Sequence, residues 1–247
     1  MALCEIRWNS RVLEQSVGTL VILPDDANPP FATYYLLHGR SDDYTTWLRR
    51  TRIEVYAAAY PMMVVMPDGF LGFYTNNHQG PAYAKYIGEE LVEMIERDFP
   101  ARANPKARCI GGQSMGGYGA LRVGLGYAGK FISINSHSGG LMAGSRERPP
   151  KRFPKMSRIF SAHPRGTDHD LLHLARRAKS AGKLPRMRID CGLSDHLLRD
   201  NRDFHAALQK SGIDHEYLEF PGGHDWEYWD LHIREALAFH ARAMGLV

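Results

Sequence analysis

The sequence predicts an α/β protein with an open, mostly parallel β-sheet and helices on both faces. From residue 62 onward, short apolar runs alternate with segments of helical periodicity, which is the pattern of strand–helix–strand units. Residues 62–66 are apolar at every position and are followed by Pro67-Asp68-Gly69, as expected for a strand that is buried on both faces. With 247 residues, of which 44% are hydrophobic and 23% charged, the chain has enough apolar side chains to form the core of such a sheet and its helices.

The composition excludes several other classes of protein. The 24 Gly and 14 Pro follow no repeat period, which excludes collagen, and no apolar run approaches the ~18 residues that form a membrane span. The formal net charge of +4 does not indicate nucleic-acid binding. The widely separated Cys4, Cys109 and Cys191 indicate neither a disulfide framework nor a cysteine zinc site. Because no signal peptide is evident, we expect a cytoplasmic protein.

The predicted elements follow one another along the chain in a regular order. The first 38 residues predict three short strands separated by turns that contain proline, at residues 6–8, 19–23 and 33–37. Five further strands are predicted at residues 62–66, 108–111, 131–135, 187–191 and 215–220. Helices are predicted at residues 83–95, 115–125, 197–209 and 226–243.

One stretch, about residues 139–183, is longer than a crossover between two strands requires. Its part from residue 146 to residue 158 is rich in Arg, Lys and Pro. Loops of this length inside compact domains are usually functional lids or disordered segments. Two interpretations stay open, a solvated surface excursion and a lid at the mouth of an active site. We therefore expect a single domain over residues 1–247 with a lid-like insertion at about 139–183.

Ser114 is the predicted catalytic nucleophile. It lies in Gly112-Gln113-Ser114-Met115-Gly116, which is the only G-x-S-x-G motif in the chain. The motif follows a predicted strand and begins a predicted helix, and this is the setting of a nucleophile elbow, where the serine occupies a sharp and strained turn. A serine hydroxyl also needs a general base and an acid that orients the base.

The acid and the base are expected after later strands, in the order serine, carboxylate, histidine. Asp195 follows the strand predicted at 187–191, and His224 lies in the Pro-Gly-Gly-His-Asp loop after the last predicted strand. Both positions suit a site at the carboxyl ends of parallel strands. Rival candidates are the acids Asp190, Asp200 and Asp203 and the histidines His215, His232 and His240.

An oxyanion hole is predicted from two backbone N–H groups. One belongs to Met115, which directly follows the nucleophile, and the other to Arg40 in the loop after the third predicted strand. Gly39 allows that loop to turn toward the site, whereas His38 is expected to be a structural hydrogen-bond partner.

Several aromatic residues lie in loops near the predicted site. Tyr44, Trp47, Tyr74 and Trp226 are candidates to line a substrate pocket together with Gly39, and packing in the core is the alternative for each of the aromatic residues. His169 and His173 have the spacing of a helical zinc pair, but the pattern lacks the expected glutamate and a third ligand. We therefore expect no metal and no cofactor.

Five stretches spread from about residue 33 to the C-terminus carry a family resemblance. They are LLHGRSDDYTTW, YIGEELVEMIERDFP, GGQSMGGYGAL, CGLSDHLLRDNRDFHAAL and PGGHDWEYWD. In these stretches the chain resembles the α/β-hydrolases of the esterase D, S-formylglutathione hydrolase and antigen 85 group. The resemblance implies an α/β-hydrolase fold, a triad of Ser114, Asp195 and His224, and oxyanion donors at Arg40 and Met115.

The expected function is that of a serine carboxylesterase acting on short-chain acyl esters, with a small-molecule ester as its partner. Three alternatives stay open: an acyltransferase of the mycolyltransferase type, an S-formylglutathione or feruloyl esterase, and a non-catalytic binding scaffold, since a fold does not determine a function. The substrate and the oligomeric state do not follow from the sequence.

Overall fold

The sheet has eight strands, six of which run parallel to one another. A computed structural model describes residues 1–25, 27–148, 151–152 and 154–247. The strands lie in the spatial order β1-β2-β4-β3-β5-β6-β7-β8. Strand β1 pairs antiparallel with β2, β2 pairs antiparallel with β4, and all pairs from β4 to β8 are parallel. The strands are β1 (Ala2–Ser10), β2 (Gln15–Leu23), β3 (Ala32–Leu37), β4 (Met62–Pro67), β5 (Arg108–Gln113), β6 (Ser133–His137), β7 (Arg186–Gly192) and β8 (Glu216–Phe220).

Helices cover both faces of this sheet, and the predicted fold class is thereby confirmed. They are α1 (Thr46–Arg50), α2 (Ile53–Ala57), α3 (Tyr83–Lys85), α4 (Val92–Asp98), α5 (Met115–Gly126), α6 (Pro154–Phe160), α7 (Leu171–Ser180), α8 (Leu198–Lys210) and α9 (Trp226–Met244). One core contains apolar side chains of α4, α5, α7 and α8, and the other contains those of α1, α2 and α9. Each face of the sheet is thus buried by its own layer, which explains why β4 is apolar on both sides.

The strand predicted at 131–135 begins and ends two residues too early. Strand β6 is Ser133–His137, and its sequence Ser-Ile-Asn-Ser-His is mostly polar although every residue is buried. A polar strand does not stand out in a hydrophobicity pattern, because its burial depends on hydrogen-bond partners from distant parts of the chain. The short helices α1 and α2 were not predicted, and a π-helical turn (Tyr86–Leu91) joins α3 to α4 inside the single helix predicted at 83–95.

The predicted insertion at 139–183 contains an ordinary crossover helix. Helix α7 lies between β6 and β7 in the chain and packs against α5. In the preceding part, the fully buried Phe160 of α6 contacts Phe73 and Tyr118 edge-to-face, and the Arg148 guanidinium lies 5.0 Å from the centre of its ring. Helix α7 and the Phe160 end of α6 are therefore packed on the core. Pro149, Pro150 and Phe153 of the predicted insertion lie outside the described residues.

No helix within the described ranges combines the length and the apolar character that crossing a bilayer requires.

A buried histidine connects α9 to the sheet. His240 is fully buried, and its Nε2–H donates to Asn135 Oδ1 at 2.9 Å, while its Nδ1 accepts from the Ser133 hydroxyl at 2.8 Å. Burial lowers the pKa of His240 to about 3, with smaller contributions from the charges of His137 and Arg188. The folded protein therefore holds this imidazole in its neutral form, whereas in the unfolded chain it is protonated below its ordinary pKa of about 6.5.

Acidification should therefore destabilise the fold through His240. Because the unfolded chain binds one more proton here below pH 6.5, the free energy of unfolding should fall by about 2 kcal/mol between pH 7 and pH 5 from this residue alone. In His240→Gln, the free energy of unfolding measured by urea denaturation should fall correspondingly less between the two pH values than it does in the wild type. The control His163→Gln removes a histidine that is 87% exposed and should keep the wild-type dependence. Equal pH dependence in all three proteins would contradict this account.

Candidate active site

Ser114 occupies a strained turn between β5 and α5. Its backbone has φ 55° and ψ −114°, a region that residues with a side chain rarely adopt. The turn is tight because the chain passes close to β3: a Cβ atom on Gly116 would lie 2.4 Å from the Leu37 carbonyl oxygen. The Ser114 N–H donates to the His137 carbonyl at 2.9 Å, which joins the turn to the neighbouring strand. This geometry is that of a nucleophile elbow.

His224 connects Ser114 to Asp195 through both of its ring nitrogens. The His224 Nδ1–H donates to Asp195 Oδ2 at 2.8 Å, which leaves Nε2 to accept from the Ser114 hydroxyl at 2.9 Å. The structure thus brings together the three residues that the sequence predicts as the triad. An imidazole held in this tautomer is suited to take a proton from the serine.

The carboxylate of Asp195 is held in its charged form. Burial raises the pKa of Asp195, but hydrogen bonds from the His224 ring and from the Leu197 N–H outweigh it, so that the pKa lies below its ordinary value. The Leu197 N–H donates to Oδ1 at 2.7 Å, so that Oδ2 faces His224. Asp195 therefore has the charge and the orientation needed to stabilise an imidazolium.

The loops that carry Asp195 and His224 are joined through their backbones. The Leu193 N–H donates to the Phe220 carbonyl at 2.8 Å, and the Ser194 N–H donates to the Gly222 carbonyl at 2.9 Å. These bonds continue the pairing of β7 with β8 beyond the ends of the strands. The distance between the acid and the base is therefore set by a main-chain ladder.

The loop after β3 is fixed by side chains beneath it. The His38 Nδ1–H donates to the Gly39 carbonyl at 2.7 Å, and its Nε2 accepts from the Gly69 N–H at 2.8 Å. His38 is thus a structural hydrogen-bond partner, as expected. The Gln113 amide donates to Asp42 Oδ2 at 2.8 Å, which holds the far end of the loop. Gln113 was not singled out from the sequence, although it directly precedes the nucleophile.

A cleft of about 340 Å³ opens over the serine and the histidine. Met115 is the first residue of α5, so its N–H has no acceptor within the helix. Arg40 is exposed and lines the same cleft. The walls are mostly polar or aromatic and consist of Arg40, Asp42, Arg50, Gln113, Ser114, His224, Asp225, Trp226, Glu227 and Trp229.

Only one of the four aromatic candidates for the pocket lines this cleft, namely Trp226. Trp47 is buried and its indole N–H donates to the Leu37 carbonyl at 3.0 Å. Tyr74 is also buried, and its hydroxyl donates to the His38 carbonyl at 3.0 Å. Both rings support the loop after β3 from within the core. Their polar atoms have main-chain acceptors there, which is what burial of these side chains requires.

Tyr44 lies on a different part of the molecule from the cleft. Its ring packs against Gly18 of β2, and its hydroxyl donates to Glu5 Oε1 at 2.6 Å. The proposed pocket role of Tyr44, Trp47 and Tyr74 is therefore corrected. Gly39, the remaining candidate, is buried and packs against the Gln113 side chain.

The rival acids and histidines have other partners. Asp200 pairs with Arg146, and Asp203 lies 4.0 Å from Arg199. His215 bonds the ring of His205 at 2.8 Å. The remaining rivals, Asp190, His232 and His240, are buried.

His169 and His173 do not share one helical face. Helix α7 begins at Leu171 after its N-cap Asp170, so His169 precedes the helix. The His169 ring instead contacts the Thr75 hydroxyl at 2.9 Å, and burial lowers its pKa to about 4.

Comparisons with known proteins show the family of this chain. The family model for Esterase, described as "Putative esterase", matches residues 10–240. An acetyl esterase of Caldicellulosiruptor saccharolyticus is 32% identical over an alignment of 263 positions, which covers 98% of this chain and 99% of that protein.

Two structures from Staphylococcus aureus are also similar. The fluorophosphonate-binding serine hydrolase FphF superimposes with a TM-score of 0.88 at 30% identity. The S-formylglutathione hydrolase FrmB superimposes with a TM-score of 0.86 at 31% identity. Each comparison covers 97% of this chain and 98% of the other chain.

Because the loops of the acid and the base lie so close together, any side chain at position 192 should destabilise the fold. A Cβ atom there would lie 2.5 Å from the Gly222 carbonyl oxygen, which belongs to the ladder and cannot move freely. We expect Gly192→Ala to lower the free energy of unfolding by about 1–3 kcal/mol, as overpacking does elsewhere. Urea denaturation followed by tryptophan fluorescence measures this change.

The matched control for Gly192→Ala is Gly140→Ala. No atom lies within 4 Å of a Cβ on Gly140, so this variant should stay within about 1 kcal/mol of the wild type. Equal stability of the two variants would contradict the account of the ladder.

Proposed function

The chain belongs to the esterase family and is a serine ester hydrolase, and we propose that Ser114, His224 and Asp195 perform its catalysis on short-chain acyl esters. The observation that carries this proposal is the continuous relay from Ser114 Oγ through His224 to Asp195, with contacts of 2.9 and 2.8 Å. A serine with an oriented base within hydrogen-bond distance is the arrangement that nucleophilic catalysis requires.

In the acylation step, Ser114 Oγ attacks the ester carbonyl carbon while His224 Nε2 takes the hydroxyl proton. Asp195 stabilises the resulting imidazolium through Nδ1–H. The carbonyl oxygen becomes an oxyanion, which we assign to the N–H groups of Met115 and Arg40. When the tetrahedral intermediate collapses, the bond to the alcohol oxygen breaks and His224 returns its proton to the leaving alcohol.

In the deacylation step, a water molecule takes the place of the alcohol. His224 removes a proton from the water, the hydroxide attacks the acyl carbon, and the bond to Ser114 Oγ breaks. The proton held by His224 then returns to Ser114, and the carboxylic acid is released. Both steps therefore use the same base, so any change in the position of His224 affects each of them.

A short acyl chain suits the shape and the lining of the cleft. A volume of about 340 Å³ is at the small end of ligand sites, which span roughly 300–1,000 Å³. Its walls carry more polar and charged side chains than apolar ones, so a long alkyl chain would gain little by being buried there. The similarity to an acetyl esterase supports the same substrate class.

A thioester with an anionic thiol is a second candidate substrate. Arg40 and Arg50 both line the cleft, and neither guanidinium has an ion-pair partner within the described part of the chain. Each of these guanidinium groups can pair with a carboxylate of the leaving group, although the same lining also carries the carboxylates of Asp42, Asp225 and Glu227. The similarity to an S-formylglutathione hydrolase supports this alternative.

We also propose a reducing, cytoplasmic setting. All three cysteines have free thiols, and Cys109 and Cys191 are buried. Free, buried thiols are typical of proteins that work in reducing compartments.

Replacing the serine should abolish turnover. We expect Ser114→Ala to lower kcat for p-nitrophenyl acetate by on the order of 10⁶-fold, because the nucleophile and the proton transfer are lost together. The control Ser194→Ala removes an exposed serine next to Asp195 and should keep wild-type turnover. Labelling with a fluorophosphonate probe should disappear only in Ser114→Ala. Wild-type turnover by Ser114→Ala would overturn the assignment.

The acyl-chain preference tests the proposed substrate class. Among p-nitrophenyl esters, kcat/KM should be highest for acetate or butyrate and should fall for octanoate and decanoate, because the cleft has little apolar surface for a long chain. The same enzyme preparation should be tested with S-formylglutathione. A maximum at decanoate would exclude the short-chain assignment, and a higher kcat/KM for the thioester would favour the second candidate.

A further inference from the structure

Three buried polar residues lie directly below the cleft, on the face of the sheet that α9 covers. The Asp190 carboxylate is fully buried, and its Oδ1 accepts from His137 Nδ1–H at 2.9 Å and from the Tyr228 hydroxyl at 3.0 Å. None of the three residues belongs to the relay described above. We call His137, Asp190 and Tyr228 the buried anchor.

The sheet end of the buried anchor is bonded to the nucleophile elbow. In the strand register His137 lies between Gln113 and Asp190. The His137 carbonyl accepts from the Ser114 N–H at 2.9 Å, and the Asp190 carbonyl accepts from the Ser138 N–H at 2.8 Å. The backbones of two anchor residues are thus fixed relative to Ser114.

The helix end of the buried anchor contacts the loop of His224 on both sides of the histidine. On the N-terminal side of His224, the ring of Tyr228 packs on Gly222, where an added Cβ would lie 2.6 Å from Tyr228 Cδ2. After it, Asp225 Oδ1 accepts from the Tyr228 N–H at 2.9 Å, which caps α9. A displacement of Tyr228 would therefore move the segment that carries His224.

The charges within the buried anchor keep Tyr228 as a donor. Burial raises the pKa of Tyr228 far above its ordinary value, and the charge of Asp190 raises it further. The phenol thus stays protonated and bonds the carboxylate. Burying a carboxylate is unfavourable unless hydrogen bonds compensate for it, and apolar side chains of similar size would fill this space without that penalty. The polar cluster therefore provides directional bonds where packing alone would leave α9 free to shift.

We propose that the buried anchor is a positioning device for His224, which connects the loop of the base to the strand of the nucleophile. The proposal rests on the catalytic roles proposed above for Ser114 and His224. His224 acts as the base in acylation and in deacylation, so a misplaced ring slows both steps equally. A loss of positioning should therefore lower kcat and leave KM nearly unchanged.

The test compares two tyrosines that connect α9 to a neighbouring element. Tyr228→Phe removes the hydroxyl that bonds Asp190, and Tyr56→Phe removes a hydroxyl that bonds Asp230 Oδ2 of the same helix at 3.1 Å, away from the loop of His224. With p-nitrophenyl acetate, Tyr228→Phe should lower kcat about 10-fold, since small displacements of a catalytic group cost up to ~10²-fold. KM should stay within about two-fold of the wild type, and Tyr56→Phe should keep both constants.

Two further measurements keep the result decisive. Each kcat is expressed per active site titrated with a fluorophosphonate, so that misfolded protein is not counted, and thermal unfolding is recorded for every variant. Asp190→Asn, which keeps the size of the side chain, should show the same loss of kcat at constant KM. If Tyr228→Phe does not fold, Asp190→Asn is the variant that tests the positioning role.

The inference is overturned if kcat per titrated site of the anchor variants equals that of Tyr56→Phe, whatever their thermal stability, or if KM rises while kcat is kept. If Ser114→Ala inactivates the enzyme, either of these results contradicts only the positioning role and leaves the proposed function in place. Activity that survives in Ser114→Ala would instead remove the proposed function itself.

Discussion

One imidazole must satisfy two partners that lie far apart in the chain. His224 contacts Ser114 across 110 residues and Asp195 across 29 residues, and both contacts must be kept within a few tenths of an ångström for proton transfer. A flexible chain could not hold this geometry at an acceptable entropic cost. Parallel strands solve the problem because β5, β7 and β8 end at the same edge of the sheet, so that each of the three residues needs to be only a few positions beyond its strand.

The rest of the active site restricts movement at that edge. The main-chain ladder that joins Leu193 and Ser194 to Phe220 and Gly222 sets the spacing of the acid and base loops, and the positive φ of Ser114 directs its hydroxyl toward the cleft. The loop after β3 is held from below by His38 and Gln113. These contacts are mostly hydrogen bonds to backbone groups, whose geometry is directional, whereas apolar packing alone tolerates small shifts.

The residues that follow the strands could be predicted from the sequence, whereas most of the residues that support them, with the exception of His38, could not. Ser114, Asp195 and His224 each lie within a few residues of the end of a predicted strand, so their place at the sheet edge follows from the order of the elements. Trp47 and Tyr74 look the same in the sequence as the cleft residue Trp226. Only the fold supplies the carbonyls of Leu37 and His38 that allow their polar atoms to be buried. The predicted bounds of β6 were wrong for a similar reason. Ser133 and Asn135 are buried because they form hydrogen bonds with His240, which lies more than 100 residues away in the chain.

The first turn of α9 connects positioning to specificity. Trp226 and Glu227 face the cleft, while Tyr228 faces the sheet and bonds Asp190. In the roles proposed above, consecutive residues of one helical turn contact the substrate and support His224, because a helix directs neighbouring side chains to different sides. The acetyl esterase and the S-formylglutathione hydrolase that resemble this chain differ in their named substrates. If these proposed roles hold, a substitution at Trp226 or Glu227 should change substrate preference without loss of the relay only where Tyr228 keeps its bond to Asp190.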